Sequence, residues 1–303
     1  MTPTKEQAEA CSVATTMGPG EMALINAYAG AGKTTTLKLI ANAVAPTGRN
    51  SLYVCYNADM ARDAKQSLPA NVECRTSHSL AYREMMRRHP SWQSRLGNLR
   101  GRDLQTQLGI RDPLVAQAIV DTFQFFLCYP AEAGIKPAEA FTSDLVESAG
   151  WGYLDGEDVA AVRRGCAAVF RAIFEDDGPA IAVPHDAYLW AYLTEQRVMP
   201  QDLILLDEGQ DLNPLMLFFI RTQLAAGKRI VLVGDRHQSI YGFRKATNAL
   251  EEMAAQAAYK LTLTESFRFP QHIADAASKV LSTYKGDNVK LVGRGAGRTA
   301  PRP

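Results

Sequence analysis

The sequence lacks the cysteine pattern of a disulfide scaffold or a zinc-binding protein. Its cysteines are odd in number, and no two of them have the C-x-x-C spacing: Cys11, Cys55, Cys74, Cys128 and Cys166. This pattern argues against both kinds of protein and predicts reduced thiols, as in the cytoplasm.

Long apolar runs and a targeting segment are also lacking. The longest apolar run, 215–220, is far too short to span a bilayer. The polar N-terminus does not have the shape of a signal peptide. The sequence therefore predicts a soluble intracellular protein.

Neither sign of charge is in excess. The 33 Lys and Arg residues against 32 Asp and Glu give a formal net charge of +1. The field of the whole protein therefore cannot drive binding to nucleic acid, and any such site has to be a local patch. The 303 residues allow two domains, or one core domain with a large insertion.

The sequence does contain a strand, a glycine-rich loop and a helix start in direct succession. The apolar run 22–25 predicts the strand, and Lys33 opens a segment of helical periodicity. Glycines let backbone N–H groups point at phosphate oxygens, the helix N-terminus adds positive potential, and the lysine reaches the terminal phosphates. Ala27 stands where the usual pattern has glycine, so we expect a negative φ there. The predicted triphosphate site comprises Ala29, Gly30, Ala31, Gly32, Lys33, Thr34 and Thr35, with the Thr34 hydroxyl on Mg²⁺.

Two carboxylates follow a second apolar run. Residues 203–206 predict a buried strand, and Asp207 and Glu208 come directly after it. An aspartate at the end of a central strand beside a phosphate loop can hold Mg²⁺, and the adjacent glutamate can polarise the attacking water. An ordinary acidic turn is the alternative.

A polar loop follows a further apolar strand at 229–233. It carries Gln238, Tyr241 and Phe243. We expect Gln238 to sense the γ-phosphate and the two rings to stack on nucleic-acid bases, a contact worth about 1–3 kcal/mol per base. The alternative is that both rings belong to the core.

The order of the predicted elements is that of an α/β protein. Strands and helices alternate over 1–86 and again over 196–264, whereas 87–195 is mainly helical in period. We expect a parallel sheet with helices on both faces and an inserted α-helical subdomain. The tail from Gly293, rich in Gly, Pro and Arg, is expected to be disordered.

Five blocks resemble the UvrD/Rep type of superfamily 1 DNA helicases, nearest to the F-box DNA helicase branch. The blocks are 27–34, 76–79, 207–211, 234–244 and 265–268. The resemblance implies a RecA-like P-loop NTPase fold that binds ATP and Mg²⁺. It assigns 1–86 and 196–264 to the first motor domain, 87–195 to its inserted subdomain, and 265–303 to the start of a second motor domain with a disordered basic tail.

The resemblance also implies roles for single residues. Gln7 is similar to the family's adenine-reading glutamine, although Thr4 and Gln7 also fit a helix capping box. Phe267 resembles the ring that covers adenine, and Arg268 resembles an arginine aimed at the γ-phosphate. The implied catalytic residues are Lys33, Glu208, Gln238 and Arg268. The implied contacts to single-stranded DNA are Tyr56, Asn57, His78, Tyr241 and Phe243.

Two motifs of the family's second motor domain are not found between Arg268 and Pro303. One is a Thr-x-His-x-x-Lys-Gly-type loop, and the other supplies a second γ-phosphate arginine. An arginine finger is worth about 10³ to 10⁵ in turnover. We therefore expect ATP binding, weak hydrolysis and no strand separation by this chain alone. A second chain or a missing C-terminal region would complete the motor.

Three functions follow as hypotheses. The first is the motor region of a 3′-to-5′ DNA helicase of repair or recombination, acting on single-stranded DNA or junctions. It would work at the nucleoid in a bacterium or phage, or in a eukaryotic nucleus. The second is a nucleotide-gated single-stranded DNA-binding module that never translocates. The third, a small-molecule kinase, gives no role to the block 238–244.

Overall fold

The computed structural model describes residues 2–55, 57–131, 134–238 and 248–295. They form two compact units. The first contains the described residues of Met1–Thr76, Val198–Leu212 and Ile220–Pro303. The second contains those of Ser77–Arg197 and Asn213–Phe219.

The first unit is built on a parallel sheet of six strands in the order β3-β2-β4-β5-β1-β6. The strands are β1 (Met22–Ala27), β2 (Ser51–Cys55), β3 (Val72–Thr76), β4 (Leu203–Leu206), β5 (Arg229–Gly234) and β6 (Tyr259–Leu263). This confirms the predicted α/β class and the sheet of a RecA-like P-loop NTPase. Because β5 lies between β4 and β1, the loops that follow these three strands are neighbours at the carboxyl edge.

The central strands are apolar on both faces because both faces are covered. Ile25, Leu205 and Val231 pack into a core shared with α1 (Lys5–Thr16), α2 (Lys33–Val44) and α3 (Ala58–Ser67). Residues that alternate with these along the strands, such as Ile204 and Leu232, are also fully buried. The sheet is therefore the centre of the unit, and only its edges are open for a site.

Polar side chains cap the starts of two helices in this unit and the next, and the first of these caps is the capping box that the sequence allows. The Thr4 side chain caps α1, and the Asn213 side chain accepts a hydrogen bond from the Met216 amide at 3.0 Å at the start of α12 (Pro214–Ala225). α13 is a single short helix (Ala249–Glu252), and it contacts β1 and β5. The chain leaves α13 through tight turns, since the Gln256 amide donates to the carbonyl of Met253 only three residues back.

The second unit is helical, as the sequence predicts. Its core holds large rings that are fully buried, among them Trp92, Phe123 and Phe141. The indole N–H of Trp92 donates to the carbonyl of Ile173 at 2.9 Å, so its polar atom is satisfied inside the core. The helices are α4 (Ser77–Arg88), α5 (Pro90–Arg95), α6 (Gly101–Leu108), α7 (Pro113–Phe126), α8 (Pro137–Ala140), α9 (Ser143–Val146), α10 (Gly156–Phe170) and α11 (His185–Thr194).

The chain after β6 forms a small element of its own within the first unit. Two short parallel strands, β7 (Glu265–Ser266) and β8 (Val292–Gly293), flank α14 (Gln271–Lys285). The expectation of a disordered tail from Gly293 is therefore wrong at its start. A Cβ at Gly293 would lie 2.4 Å from the carbonyl carbon of Pro270, so the close approach requires glycine. Residues 296–303 lie outside the described residues.

None of the helices in the described ranges combines the length and the apolarity that a bilayer crossing requires.

We predict that Val231→Ala lowers the free energy of unfolding by about 1.5–3 kcal/mol, since the Val231 side chain is fully buried against the helices. Val280→Ala removes the same two methyl groups from a residue that is 53% exposed and should change it by less than about 0.5 kcal/mol. Urea unfolding measures both values, and equal losses would contradict the placement of this core.

Candidate phosphate site

The loop after β1 has the backbone of an anion site. Gly30 and Gly32 adopt the left-handed conformation, with φ of +76° and +79°. The Ala31 amide donates to the Tyr28 carbonyl at 2.9 Å and closes the turn. Gly32 stands at the N-cap of α2 without a side-chain cap, so the first amides of that helix have no partner within the helix. Ala27 ends β1 with a negative φ, as predicted.

A buried carboxylate faces the start of α2. The Asp207 carboxylate oxygen Oδ2 accepts a hydrogen bond from the Tyr53 hydroxyl at 3.0 Å and lies 3.4 Å from the Thr34 hydroxyl. Burial, and then the neighbouring charge of Glu208, raise the pKa of Asp207. Such hard oxygen donors fit Mg²⁺, which typically takes one or two protein ligands and fills its shell with water and phosphate oxygens. Within the described residues, no three His, Cys, Asp or Glu side chains gather into a protein-only metal cage.

The second acid of the pair is held in a strained conformation. Glu208 has a φ of +55°, which costs a non-glycine residue about 1–2 kcal/mol. Its carboxylate forms an ion pair with the Lys33 ammonium. It also accepts a hydrogen bond from the Gln210 side-chain amide at 2.7 Å. Strain of this kind persists where the surroundings fix the residue, as they do in functional sites.

Gln210 is a residue that the sequence analysis did not single out. Its side chain is only 2% exposed, and its carbonyl oxygen accepts a hydrogen bond from the Asp235 amide at 3.0 Å. The Asp235 carboxylate in turn accepts from the Gln238 side-chain amide at 2.6 Å. A polar network thus runs without a break through Lys33, Glu208, Gln210, Asp235 and Gln238. The presence of an amide inside the acidic block 207–211 was the available signal for Gln210.

The predicted adenine reader lies beside the phosphate loop. Gln7 is buried, and its side-chain nitrogen donates to the Thr36 hydroxyl at 3.2 Å. Its side-chain oxygen accepts from the Thr4 amide at 3.1 Å, and the Gln7 amide donates to the Thr4 hydroxyl at 3.2 Å. The capping box is therefore formed, and a contact with adenine stays a prediction.

The segment with Phe267 and Arg268 packs on the phosphate loop. The Phe267 amide donates to the Gly30 carbonyl at 2.9 Å, and the Ser266 hydroxyl donates to the Ala29 carbonyl at 2.8 Å. Phe267 is 50% exposed, and Arg268 is also exposed. The backbone of this segment is thus held against the phosphate loop, while both side chains are accessible to a ligand.

The residues predicted to contact DNA are placed only in part. The Asn57 side chain caps α3 by accepting a hydrogen bond from the Met60 amide at 2.9 Å. His78 belongs to the helical unit, where its Nε2 lies 2.9 Å from a carboxylate oxygen of Asp186. The remaining three residues of this prediction lie outside the described residues: Tyr56, Tyr241 and Phe243. All five DNA contacts stay predictions.

Comparison with known proteins relates this chain to the AAA domain family and to DNA helicases. Residues 7–244 match the family model described as an AAA domain. The chain is 31% identical over 296 residues to F-box DNA helicase protein 1 of Schizosaccharomyces pombe, which covers 91% of this chain and 32% of the relative. F-box DNA helicase 1 of Gallus gallus is 29% identical over 291 residues, covering 90% of this chain and 27% of the relative. The chain thus spans about a third or less of these relatives.

A shorter match supports the same grouping. The mitochondrial ATP-dependent DNA helicase HMI1 of Saccharomyces cerevisiae is 34% identical over 85 residues, covering 26% of this chain and 12% of the relative. The predicted resemblance to a superfamily 1 helicase motor region is confirmed.

We predict that Gly30→Ala weakens nucleotide binding about tenfold or more, since its Cβ would lie 2.5 Å from the Cβ of Arg268 and 2.6 Å from the Ser266 hydroxyl. Gly48→Ala is a matched control, because Gly48 has the same φ of +76° but nothing within 4 Å of the added Cβ. The control should lose about 1 kcal/mol of stability and no nucleotide affinity. Titration of a fluorescent ATP analogue measures the affinities, and equal binding by the two variants would count against this packing.

Proposed function

Since this chain belongs to the AAA domain family, we propose that it is the ATP-binding and ATP-hydrolysing motor region of a DNA helicase that acts on single-stranded DNA. The observation that carries the proposal is the polar network from Lys33 to Gln238. It joins the phosphate loop, the twin acids and the loop after β5 through direct hydrogen bonds and one ion pair. Loops from three strands would then respond to one triphosphate.

Phosphate binding would break the Lys33–Glu208 ion pair and give each of the two side chains a new role. Phosphate oxygens compete with the Glu208 carboxylate for the Lys33 ammonium, and the open amides at the start of α2 receive the remaining oxygens. Thr34 and Asp207 would hold Mg²⁺, which neutralises charge on the phosphates. Release from Lys33 leaves Glu208 with Gln210 as its hydrogen-bond partner, free to accept a proton from the attacking water.

The other predicted nucleotide contacts fit around this centre. Gln238 would sense the γ-phosphate, and Asp235 orients its amide. Arg268 would approach the γ-phosphate from the segment that packs on Gly30, while Phe267 covers the adenine and Gln7 reads its edge. Only one γ-phosphate arginine is available in this scheme, so we propose that hydrolysis by this chain alone is weak.

The DNA-binding part of the proposal depends on the sequence that follows Gln238. Tyr241 and Phe243 come three and five positions later, so a shift of the sensor glutamine would reach them through a short stretch of backbone. The relatives are named as DNA helicases, which supports DNA as the substrate. The 3′-to-5′ direction, a preference for junctions, and action at a nucleoid or in a nucleus are further parts of the proposal, as is completion of the motor by another segment or chain.

A nucleotide-gated DNA-binding module is a second candidate. The Lys33–Glu208 ion pair favours this candidate, because the pairing occupies both the proposed general base and the phosphate-binding lysine. If that pairing survives nucleotide binding, the chain would change its DNA affinity without turnover.

We predict that Lys33→Ala abolishes ATP binding and that Glu208→Gln retains binding but stops turnover, because the first change removes the phosphate partner and the second removes the base. Lys38→Ala, on the same helix, and Glu252→Gln, whose carboxylate pairs with Arg221 on the surface at 2.8 Å, are the matched controls. Both controls should resemble the wild type. Unchanged hydrolysis in Lys33→Ala or Glu208→Gln would remove these assignments.

We also predict that oligo-dT raises the ATPase rate about tenfold, which corresponds to about 1.4 kcal/mol of barrier. Steady-state phosphate release, with and without the oligonucleotide, measures this ratio. A DNA affinity that changes with ATP while turnover stays absent would instead favour the gated module. A chain that neither binds oligo-dT nor hydrolyses ATP would contradict both candidates.

A further inference from the structure

Asp287, which follows α14, joins three segments through one carboxylate oxygen. Its Oδ2 accepts a hydrogen bond from the Tyr28 hydroxyl, forms an ion pair with the Arg236 guanidinium, and lies 2.8 Å from the His237 Nε2. Tyr28 is the first residue of the phosphate loop, and Gln238 directly follows His237. The phosphate loop and the sensor loop (235–238, the described residues directly after β5) thus both contact one carboxylate that belongs to neither loop.

The charge of this carboxylate is strongly stabilised. Burial raises the pKa of Asp287. The hydrogen bonds from Arg236, Tyr28 and His237 outweigh burial and hold this pKa well below its usual range. The residue is only 9% exposed, so water does little to screen these contacts. Burial and the neighbouring Asp287 raise the pKa of Tyr28 to about 12, which keeps its hydroxyl protonated as a donor.

Apolar packing already fixes the position of α14 against the phosphate loop. The Tyr28 ring shares a small core with Ala274 and Leu291. The contacts of Asp287 with Arg236 and His237 lie outside that apolar core and reach toward the other loop.

The backbone of the sensor loop has separate supports. The Arg236 amide donates to the Asn26 side chain at 3.1 Å, and the Arg236 carbonyl accepts from the Asn248 side chain at 3.1 Å. Loss of the Asp287 charge would therefore loosen the contacts around Gln238 without unfolding the loop.

We propose that Asp287 is a positioning residue for ATP turnover, which holds Arg236 and His237 against Tyr28 and thereby sets Gln238 relative to the phosphate loop. This inference rests on the proposed ATPase function. Binding of the triphosphate depends on Lys33 and the loop amides, which Asp287 does not touch. Its loss should therefore affect turnover more than binding.

The test is Asp287→Asn, which keeps the size of the side chain but removes its charge. We expect kcat to fall about tenfold while KM for ATP changes less than about threefold. Asp275→Asn is a matched control on α14, because Asp275 is exposed and accepts a hydrogen bond from Gln271 of the same helix at 2.7 Å. The control should keep both constants. An unchanged kcat in Asp287→Asn, or a loss equal to that of the control, overturns the proposal.

A double-mutant cycle separates positioning from a general loss of stability. Arg236→Gln removes the other half of the ion pair, so the double variant with Asp287→Asn should be no slower than the worse single variant. Fully multiplicative losses would show that the two residues act independently and would overturn the inference.

Hydrogen exchange distinguishes failure of this inference from failure of the proposed function. In the chain without nucleotide, Asp287→Asn should speed exchange of the amides in 234–238, and Asp275→Asn should not. If the wild type does not hydrolyse ATP, the proposed function fails, and the exchange rates alone decide whether Asp287 holds the sensor loop. Unchanged exchange in 234–238 overturns that role.

Discussion

The candidate site depends on the hydrogen bonds of the buried Gln210 side-chain amide. A primary amide in the interior needs partners for both its donors and its acceptor, since each unpaired group costs about 1–3 kcal/mol. Here its nitrogen donates to Glu208 and its oxygen accepts from the Asp235 backbone. The two loops can therefore not separate without leaving the amide unpaired, and the strained Glu208 backbone is held in place at the same time. Movement of either loop alone would therefore cost this amide one of its partners.

Strand order makes this contact available. β5 lies between β1 and β4, so three chain segments that are distant in sequence end side by side at the carboxyl edge. The phosphate loop, the acidic pair and the sensor loop each follow one of these strands. Full burial of residues such as Leu205 and Val231 fixes the strands. The polar loops are held in place because they follow these fixed strands. A rigid apolar sheet thus carries a small polar network at the edge where we propose that the triphosphate binds.

The site residues that could be predicted from the sequence are those that belong to contiguous sequence motifs. Lys33, Thr34, Asp207 and Glu208 follow directly from a glycine-rich loop and an acidic pair after apolar strands. The contacts of Gln210 and Asp287 could not be predicted in the same way, because each one joins loops that only the fold brings together. The left-handed backbone of Glu208 was equally hidden, since nothing in its residue type favours a positive φ. Folding context also overrode local signals at Gly293, where close packing against Pro270 orders a glycine-rich stretch that composition alone marks as disordered.

The most direct test is whether one bound triphosphate stabilises all three loops. Hydrogen exchange with and without a slowly hydrolysed ATP analogue and Mg²⁺ measures this. The account predicts joint protection of 28–36, 207–211 and 234–238, because the ligand tightens the network from the phosphate loop to Gln238. Protection limited to the phosphate loop, with the other two segments unchanged, would contradict it.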